Sequence, residues 1–223
     1  MYMKNLLLFP IVAGTLFVAS CQDAPEADNA EVTEAQEVES TTGKTYAADL
    51  SQSKVEWIGT KPVGQHHGTF TLQNGTLVVS ENALKGGTFT VDIKSVTPDD
   101  QDAEGNAKLQ GHLMSADFFD AEKHPTGTFE ITNVAEGVQN TDGLVMKDAT
   151  HTITGNLTLK GITKSITFPA KVAVAENNIT ADANFNIDRT QWEIVYGNDK
   201  SLGDKFIRPE VNVQVHLVAN KQM

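Results

Sequence analysis

Residues 179–187 read Ile-Thr-Ala-Asp-Ala-Asn-Phe-Asn-Ile, and this unbroken alternation decides the fold class. In an extended chain successive side chains point to opposite faces. Ile179, Ala181, Ala183, Phe185 and Ile187 therefore share one side, while Thr180, Asp182, Asn184 and Asn186 share the other. A helix would scatter the same residues around its circumference. The period recurs outward from this stretch. Val211, Val213, Val215 and Leu217 alternate with Asn212, Gln214 and His216. Phe89, Val91 and Ile93 alternate with Thr88, Thr90, Asp92 and Lys94. Phe129 and Ile131 are set between Thr128, Glu130 and Thr132, and Ile153, Leu157 and Leu159 among Thr152, Thr154, Asn156 and Thr158. A period of two predicts half-buried antiparallel strands with one face in the core and one in water.

Punctuation between these runs agrees. Asn74-Gly75, between Phe70-Thr71-Leu72 and Leu77-Val78-Val79, predicts a two-residue hairpin, because both residue types accept positive φ. Gly86-Gly87, Lys160-Gly161 and Asn177-Asn178 are expected to separate other strand pairs. Eight or so short strands predict an all-β barrel or sandwich. One exception lies between Gly105 and Asp120, where the helical spacing of Leu109 and Leu113 predicts a short helix leading into Phe118 and Phe119 and capping one end.

The chain's beginning is of another kind. Lys4 precedes an apolar run, Leu6 to Ala19, that ends in Val18-Ala19-Ser20-Cys21. This is the pattern of a bacterial lipoprotein signal peptide over residues 1–20, cut before a cysteine that receives acyl chains. Cys21 is the only cysteine of the 223 residues, so its lipidation would leave no thiol for a disulfide. Two or more acyl chains there would anchor the protein stably to a membrane. Residues 21–43 then carry Asp23, Glu26, Asp28, Glu31, Glu34, Glu37 and Glu39 with no basic residue before Gly43. Such a stretch cannot build a core of its own and is expected to be a disordered tether, with a span of roughly 25 Å. Residues 44–223 remain as one domain. The expected location is the bacterial cell envelope, on an outer membrane facing the periplasm or the cell surface.

Composition excludes several functions. A net charge of -12 and an isoelectric point near 4.8 disfavour nucleic acid, which rewards clusters of Lys and Arg. No glycine-rich phosphate loop, serine elbow or zinc signature is present, so no catalytic residue is assigned and the protein is not expected to be an enzyme. His66, His67, His112 and His124 lack a metal-ligand spacing and soft co-ligands, and no metal site is assigned to them.

Four ordered motifs go further: Gly64 to Phe70 (GQHHGTF), Leu113 to Pro125 (LMSADFFDAEKHP), Gly155 to Thr163 (GNLTLKGIT), and Asp188-Arg189 before Trp192. Together they resemble the YceI-like family over nearly the whole body, Tyr46 to Ala219. The resemblance implies a lipocalin-like, extended antiparallel β-barrel of about eight strands with a packed helix, whose interior holds a long isoprenoid chain. It implies no cofactor other than a bound isoprenoid lipid or quinone as ligand. Many members are soluble and periplasmic, and the lipobox and acidic stretch depart from that pattern.

The inward set of the alternating strands, Phe89, Val91, Ile93, Phe129, Ile131, Leu157, Leu159, Phe185, Val213 and Val215, is expected to line the cavity. Periodicity alone allows these residues equally to be a filled core. Asp117, Phe118, Phe119 and Asp188 are expected to be structural, and Arg189 is a candidate contact for a phosphate or quinone head group. The expected function is a membrane-anchored lipoprotein that sequesters or transports a polyprenyl lipid, quinone or similar apolar molecule. Two alternatives stand beside it: a filled-barrel structural or stress-protective envelope protein, and a histidine-based metal-binding or haem-associated protein.

Overall fold

The alternating stretches are strands in the computed structural model, which describes residues 24–138 and 143–222. In chain order these are β1 (Asp28–Asn29), β2 (Glu31–Glu34), β3 (Lys44–Ala48), β4 (Lys54–Lys61), β5 (Gly64–Ser80) and β6 (Ala83–Pro98). After α1 (Ala103–Met114) come β7 (Thr126–Glu136), β8 (His151–Leu159), β9 (Ile162–Val174), β10 (Asn178–Asp188) and β11 (Glu210–Lys221). Neighbours from β5 to β11 pair antiparallel in sequence order, save that β11 returns to β5 through β3 and β4. β3 and β4 together make one stave, interrupted at 49–53. The result is a closed barrel of eight antiparallel strands with a short helix.

Two turns show how the strands are joined. Glu81 and Asn82 both have positive φ (54° and 62°), as do Lys160 and Gly161 (51° and 77°), which is what a two-residue hairpin needs to match strand twist. Asn74-Gly75, expected to be such a turn, lies inside β5 and neither residue has positive φ. The reason is packing. A Cβ on Gly75 would stand 2.5 Å from Phe89 Cδ1 and 3.0 Å from the Ala48 Cβ, so the glycine makes room for an aromatic ring opposite it. β5 shifts register beside it, between Leu72 and Asn74. Gly86-Gly87 is likewise inside β6 rather than between strands: a Cβ on Gly87 would meet Leu77 Cδ2 at 2.7 Å.

The helix forms where its leucines predicted one, beginning at Ala103. Asp102 caps it, its carboxylate accepting from the Gly105 N–H at 2.8 Å. Gln110 Nε2 donates to the Val96 carbonyl (2.8 Å), tying α1 to β6, and Leu113 is buried. Beyond it Phe118, Trp192, Ile194 and Phe206 are buried and pack the barrel's helix end. At the opposite, turn end, Tyr46 is 2 % exposed and its hydroxyl donates to the Glu176 carbonyl at 3.0 Å.

The signal segment 1–20 and Cys21 lie outside the described residues. The acidic stretch after them departs from expectation from residue 24 onward, because it is laid against the barrel. β1 pairs parallel with β10 (Asp28 with Phe185, Asn29 with Asn186), and β2 pairs antiparallel with β9 (Glu31 with Thr167 through Glu34 with Lys164). Further on, Gln36 N–H donates to Asn156 Oδ1 at 2.9 Å and Asn156 Nδ2 returns a bond to the Gln36 carbonyl at 2.7 Å. The segment has too little apolar surface to fold alone, but the open edges of β9 and β10 supply its hydrogen bonds. Ala30 and Val32 pack on the core while Glu31, Thr33 and Glu34 face water.

Candidate functional site

The barrel's inner face encloses a cavity of about 170 Å³. Every stave contributes to it. Among its walls are Val55 from β4, Leu72 and Leu77 from β5, Phe89 and Val91 from β6, Phe129 and Ile131 from β7, and Ile153 and Leu157 from β8. β9 adds Ile166, Phe168, Ala170 and Val172, β10 adds Ala181, Ala183, Phe185 and Ile187, and β11 adds Val213, Val215 and Leu217. The one acidic residue reaching this region, Asp182, turns its carboxylate to His216 Nδ1 (2.6 Å) on the other face. The wall therefore offers apolar contact and no hydrogen-bonding side chain, and an unpaired polar group placed there would lose its water without compensation. Phe168 and Phe185 stack at 4.1 Å between centroids and 15° between planes, and Phe129 lies 5.8 Å from Phe168.

Eight of the ten residues expected to line a cavity do so: Phe89, Val91, Phe129, Ile131, Leu157, Phe185, Val213 and Val215. Ile93 and Leu159 do not. Both are near Gly127, whose Cβ would meet Leu159 Cδ2 at 2.9 Å and Ile93 Cδ1 at 3.4 Å. They sit where the helix-end plug begins, so their side chains meet packed neighbours instead of space. All of the lining on β9 (Ile166, Phe168, Ala170, Val172) lies outside the sequence-based set. The Ile-Thr-Phe-Pro-Ala run from 166 to 170 carries the apolar alternation that would have found it, but Pro169 speaks against a central strand.

Arg189 has a different place from the one expected of a head-group contact. Its side chain is 4 % exposed. Nε donates to the Arg208 carbonyl (3.2 Å), Nη1 to that of Ile194, and Nη2 to those of Tyr196 (2.9 Å) and Ile207 (3.0 Å). Four of the five guanidinium N–H groups are thereby spent on the loop between β10 and β11. Burial lowers its pKa from the ordinary value, while Asp188 and Glu210 pull the other way. Asp188 itself accepts from Thr190 N–H at 2.9 Å and starts the single turn, Arg189–Trp192, that places the arginine. Trp192, fully buried, donates its indole N–H to the Leu157 carbonyl at 3.0 Å.

The histidines are each occupied separately. His66 Nδ1 lies 2.8 Å from Asp100, His67 Nδ1 2.6 Å from Asp99, and His112 Nε2 3.1 Å from Asp117. His124 packs beneath Gly161. Among the described residues no three His, Cys, Asp or Glu side chains converge as a metal site. Burial pushes the Asp100 carboxyl up. The hydrogen bond and charge of His66, with the His67 N–H, outweigh this and hold it below the ordinary carboxylate value.

A closed eight-stranded barrel around an all-apolar hollow defines a lipocalin-like binding architecture. The YceI-like domain matches residues 46–219, and the chain belongs to that family. It is 34 % identical over 106 residues to protein YceI of Escherichia coli and 33 % identical over 105 residues to a UPF0312 protein of Azotobacter vinelandii. Each match covers 48 % of the relative and 48 % or 47 % of this chain, so the chain spans about half the length of the curated relatives it matches. Two solved structures share the fold. Burkholderia cenocepacia BcnA does so at TM-score 0.59 and 24 % identity, over 78 % of this chain and 99 % of that one. A polyisoprenoid binding domain from Saccharophagus degradans, implicated in plant cell wall breakdown, does so at TM-score 0.57 and 15 % identity, over 79 % of this chain and 98 % of that one.

Proposed function

We propose that the protein is an exported, lipid-anchored carrier that takes the hydrocarbon part of an isoprenoid lipid or quinone into its barrel and releases it unchanged. The observation that carries this reading is the hollow itself, walled by apolar side chains from all eight staves. Membership of the YceI-like family and the polyisoprenoid-binding structural neighbour support it. A carbon chain leaving water gains about 0.8 kcal/mol per methylene, so apolar burial alone supplies affinity and no polar residue need read the ligand. A lined cavity of about 150 Å³ holds a benzene-sized guest. At about 170 Å³ the hollow has room for the terminal, branched segment of such a chain and not for the rest, which with any head group would remain outside.

The docked acidic stretch revises how an anchor would act. With the chain against the barrel from residue 24, only two residues would separate acyl chains on Cys21 from it, a reach of at most about 10 Å. The barrel would then sit against the membrane surface.

Native mass spectrometry with organic extraction tests the reading, on the full chain with Cys21→Ser exported in a bacterial host. A prenyl lipid or quinone near one per chain is the expected result. A stable protein that carries no lipid and ignores added prenols and quinones would overturn it in favour of a filled-barrel envelope protein.

A further inference from the structure

β9 and β10 leave the hairpin that joins them as partners, but only four residue pairs hold, Val174 with Ile179 through Lys171 with Asp182. Beyond that point the two strands part. β9 changes partner to β2 from Thr167 to Lys164, and β10 takes β1 at Phe185 and Asn186. Pro169, which has no N–H to donate, stands where β9 changes partner. The segment 28–34 therefore runs between the two strands, and the Ala30 N–H donates to the Asn186 carbonyl at 2.9 Å. Paired strands lie about 4.8 Å apart, so two strands separated by a third are about 10 Å apart. Directly behind this slot are cavity walls: Ile166 and Phe168 on one side, Phe185 and Ile187 on the other.

We infer that the acidic N-terminal segment is a removable stave of the barrel, and that the slot it fills is the side door through which the apolar guest passes between cavity and bilayer. This rests on the carrier reading above. Four observations carry it. Both ends of the barrel are packed, by Tyr46 at one and by Phe118 and Trp192 at the other. The slot opens onto the cavity in the helix-end half of the barrel, at 164–167 of β9 and 185–186 of β10. The inserted stave presents only Ala30 and Val32 to the core. The groups it covers elsewhere are polar: Asn156 at 8 % exposure, Ser165 at 1 % with an unpartnered hydroxyl, and Asn186 at 7 %, whose Nδ2 donates to the Pro25 carbonyl at 3.2 Å. Water satisfies such groups when the stave lifts, so the apolar surface that opening uncovers is confined to Ala30, Val32 and the cavity walls behind the slot. Glu34 meets Lys164 at 2.7 Å with its own side chain 87 % exposed, a contact that is easily exchanged for solvent.

A reversible lock tests the inference. Thr33 and Ser165 are register partners across β2 and β9, and opposite residues of antiparallel strands have Cα atoms about 4.5–5.5 Å apart, within the range a disulfide spans. In the full chain with Cys21→Ser, Thr33→Cys and Ser165→Cys are introduced and the protein is loaded with N-phenyl-1-naphthylamine. Release into phosphatidylcholine vesicles is then timed before and after reduction. Release at least tenfold slower in the oxidised form, restored by reduction, is expected. Equal rates overturn the side door while leaving the carrier reading intact; a reduced form that takes up no probe overturns the carrier reading and the door with it. Hydrogen exchange on the Cys21→Ser chain gives a second measurement independent of the lock. Residues 28–34 should exchange at least a hundredfold faster than 211–217 of β11, and exchange as slow as β11 would equally overturn the proposal.

Discussion

Ala181→Leu separates a hollow barrel from a filled one by the sign of its effect. Ala181 lies on β10 opposite Leu217 and Val172, is half-buried, and lines the cavity. Leucine adds three carbons. At about 0.8 kcal/mol for each carbon withdrawn from water they contribute about 2.4 kcal/mol, from which the lost rotamer freedom of leucine removes about 0.5–1 kcal/mol. A net gain of about 1.5 kcal/mol raises the melting temperature of a domain this size by about 3–6 °C. The same three carbons occupy about half of a hollow that holds roughly a benzene ring, so affinity for an apolar fluorescent probe should fall at least tenfold. The assay is urea and thermal unfolding of delipidated protein, paired with probe titration of the same samples. A loss of about 1–3 kcal/mol, the usual cost of overpacking a full core, together with unchanged probe binding, would refute the reasoning.

Gly75→Val should destabilise by about 1–3 kcal/mol through its collision with the Phe89 ring 2.5 Å away, and Phe89→Ala in the same chain should recover part of that loss; urea unfolding of the two single variants and the double variant measures the coupling. Arg189→Lys should lose most of what Arg189→Met loses, because one ammonium cannot serve carbonyls spread over Ile194, Tyr196, Ile207 and Arg208. Limited proteolysis, with cleavage rising between 194 and 208 in both variants, reads this out. For Asp100 the folded-state pKa is depressed, so its contribution to stability is complete above the unfolded carboxylate value and disappears as the pH falls through the folded one. Wild type and Asp100→Asn should accordingly differ in unfolding free energy at pH 7 and converge in the acid range; a difference that persists undiminished below pH 3 would contradict the assignment.

The parts of the fold legible in the sequence are those whose strands have one face in water. β10 and β11 alternate without a break because their outer residues are polar throughout, reaching solvent at Asp182 and His216 and hydrogen-bonded to one another at Asn184, Asn186 and Asn212. β9 was harder to read, because Ser165 and Pro169 on its outer face are as buried as Ile166 and Phe168 on its inner one, and a strand covered on both sides loses the contrast between its two faces. Part of what covers it is the chain just after β2, where Gln36 crosses to Asn156 of β8, in the stretch whose charge pointed to disorder. Ala30-Glu31-Val32-Thr33-Glu34 does alternate, but the alternation is worth a strand only beside the open edges of β9 and β10. That dependence on partners far away in sequence is why composition misjudged it.

The site was legible as a face but not as a space. Phe89 and Ile93 are inward residues of one strand, in phase and four positions apart, yet Phe89 borders the hollow and Ile93, at 3 % exposure, does not. The difference is made by Leu159 and the plug behind it, which includes Trp192, 99 residues from Ile93. A barrel interior fills or stays open according to what the chain folds across its ends, and here the ends are supplied by the tyrosine of a short strand, a helix after β6 and a single turn after β10. Periodicity identifies which side chains face inward. Whether they meet each other or a guest is settled by residues that belong to none of the alternating runs.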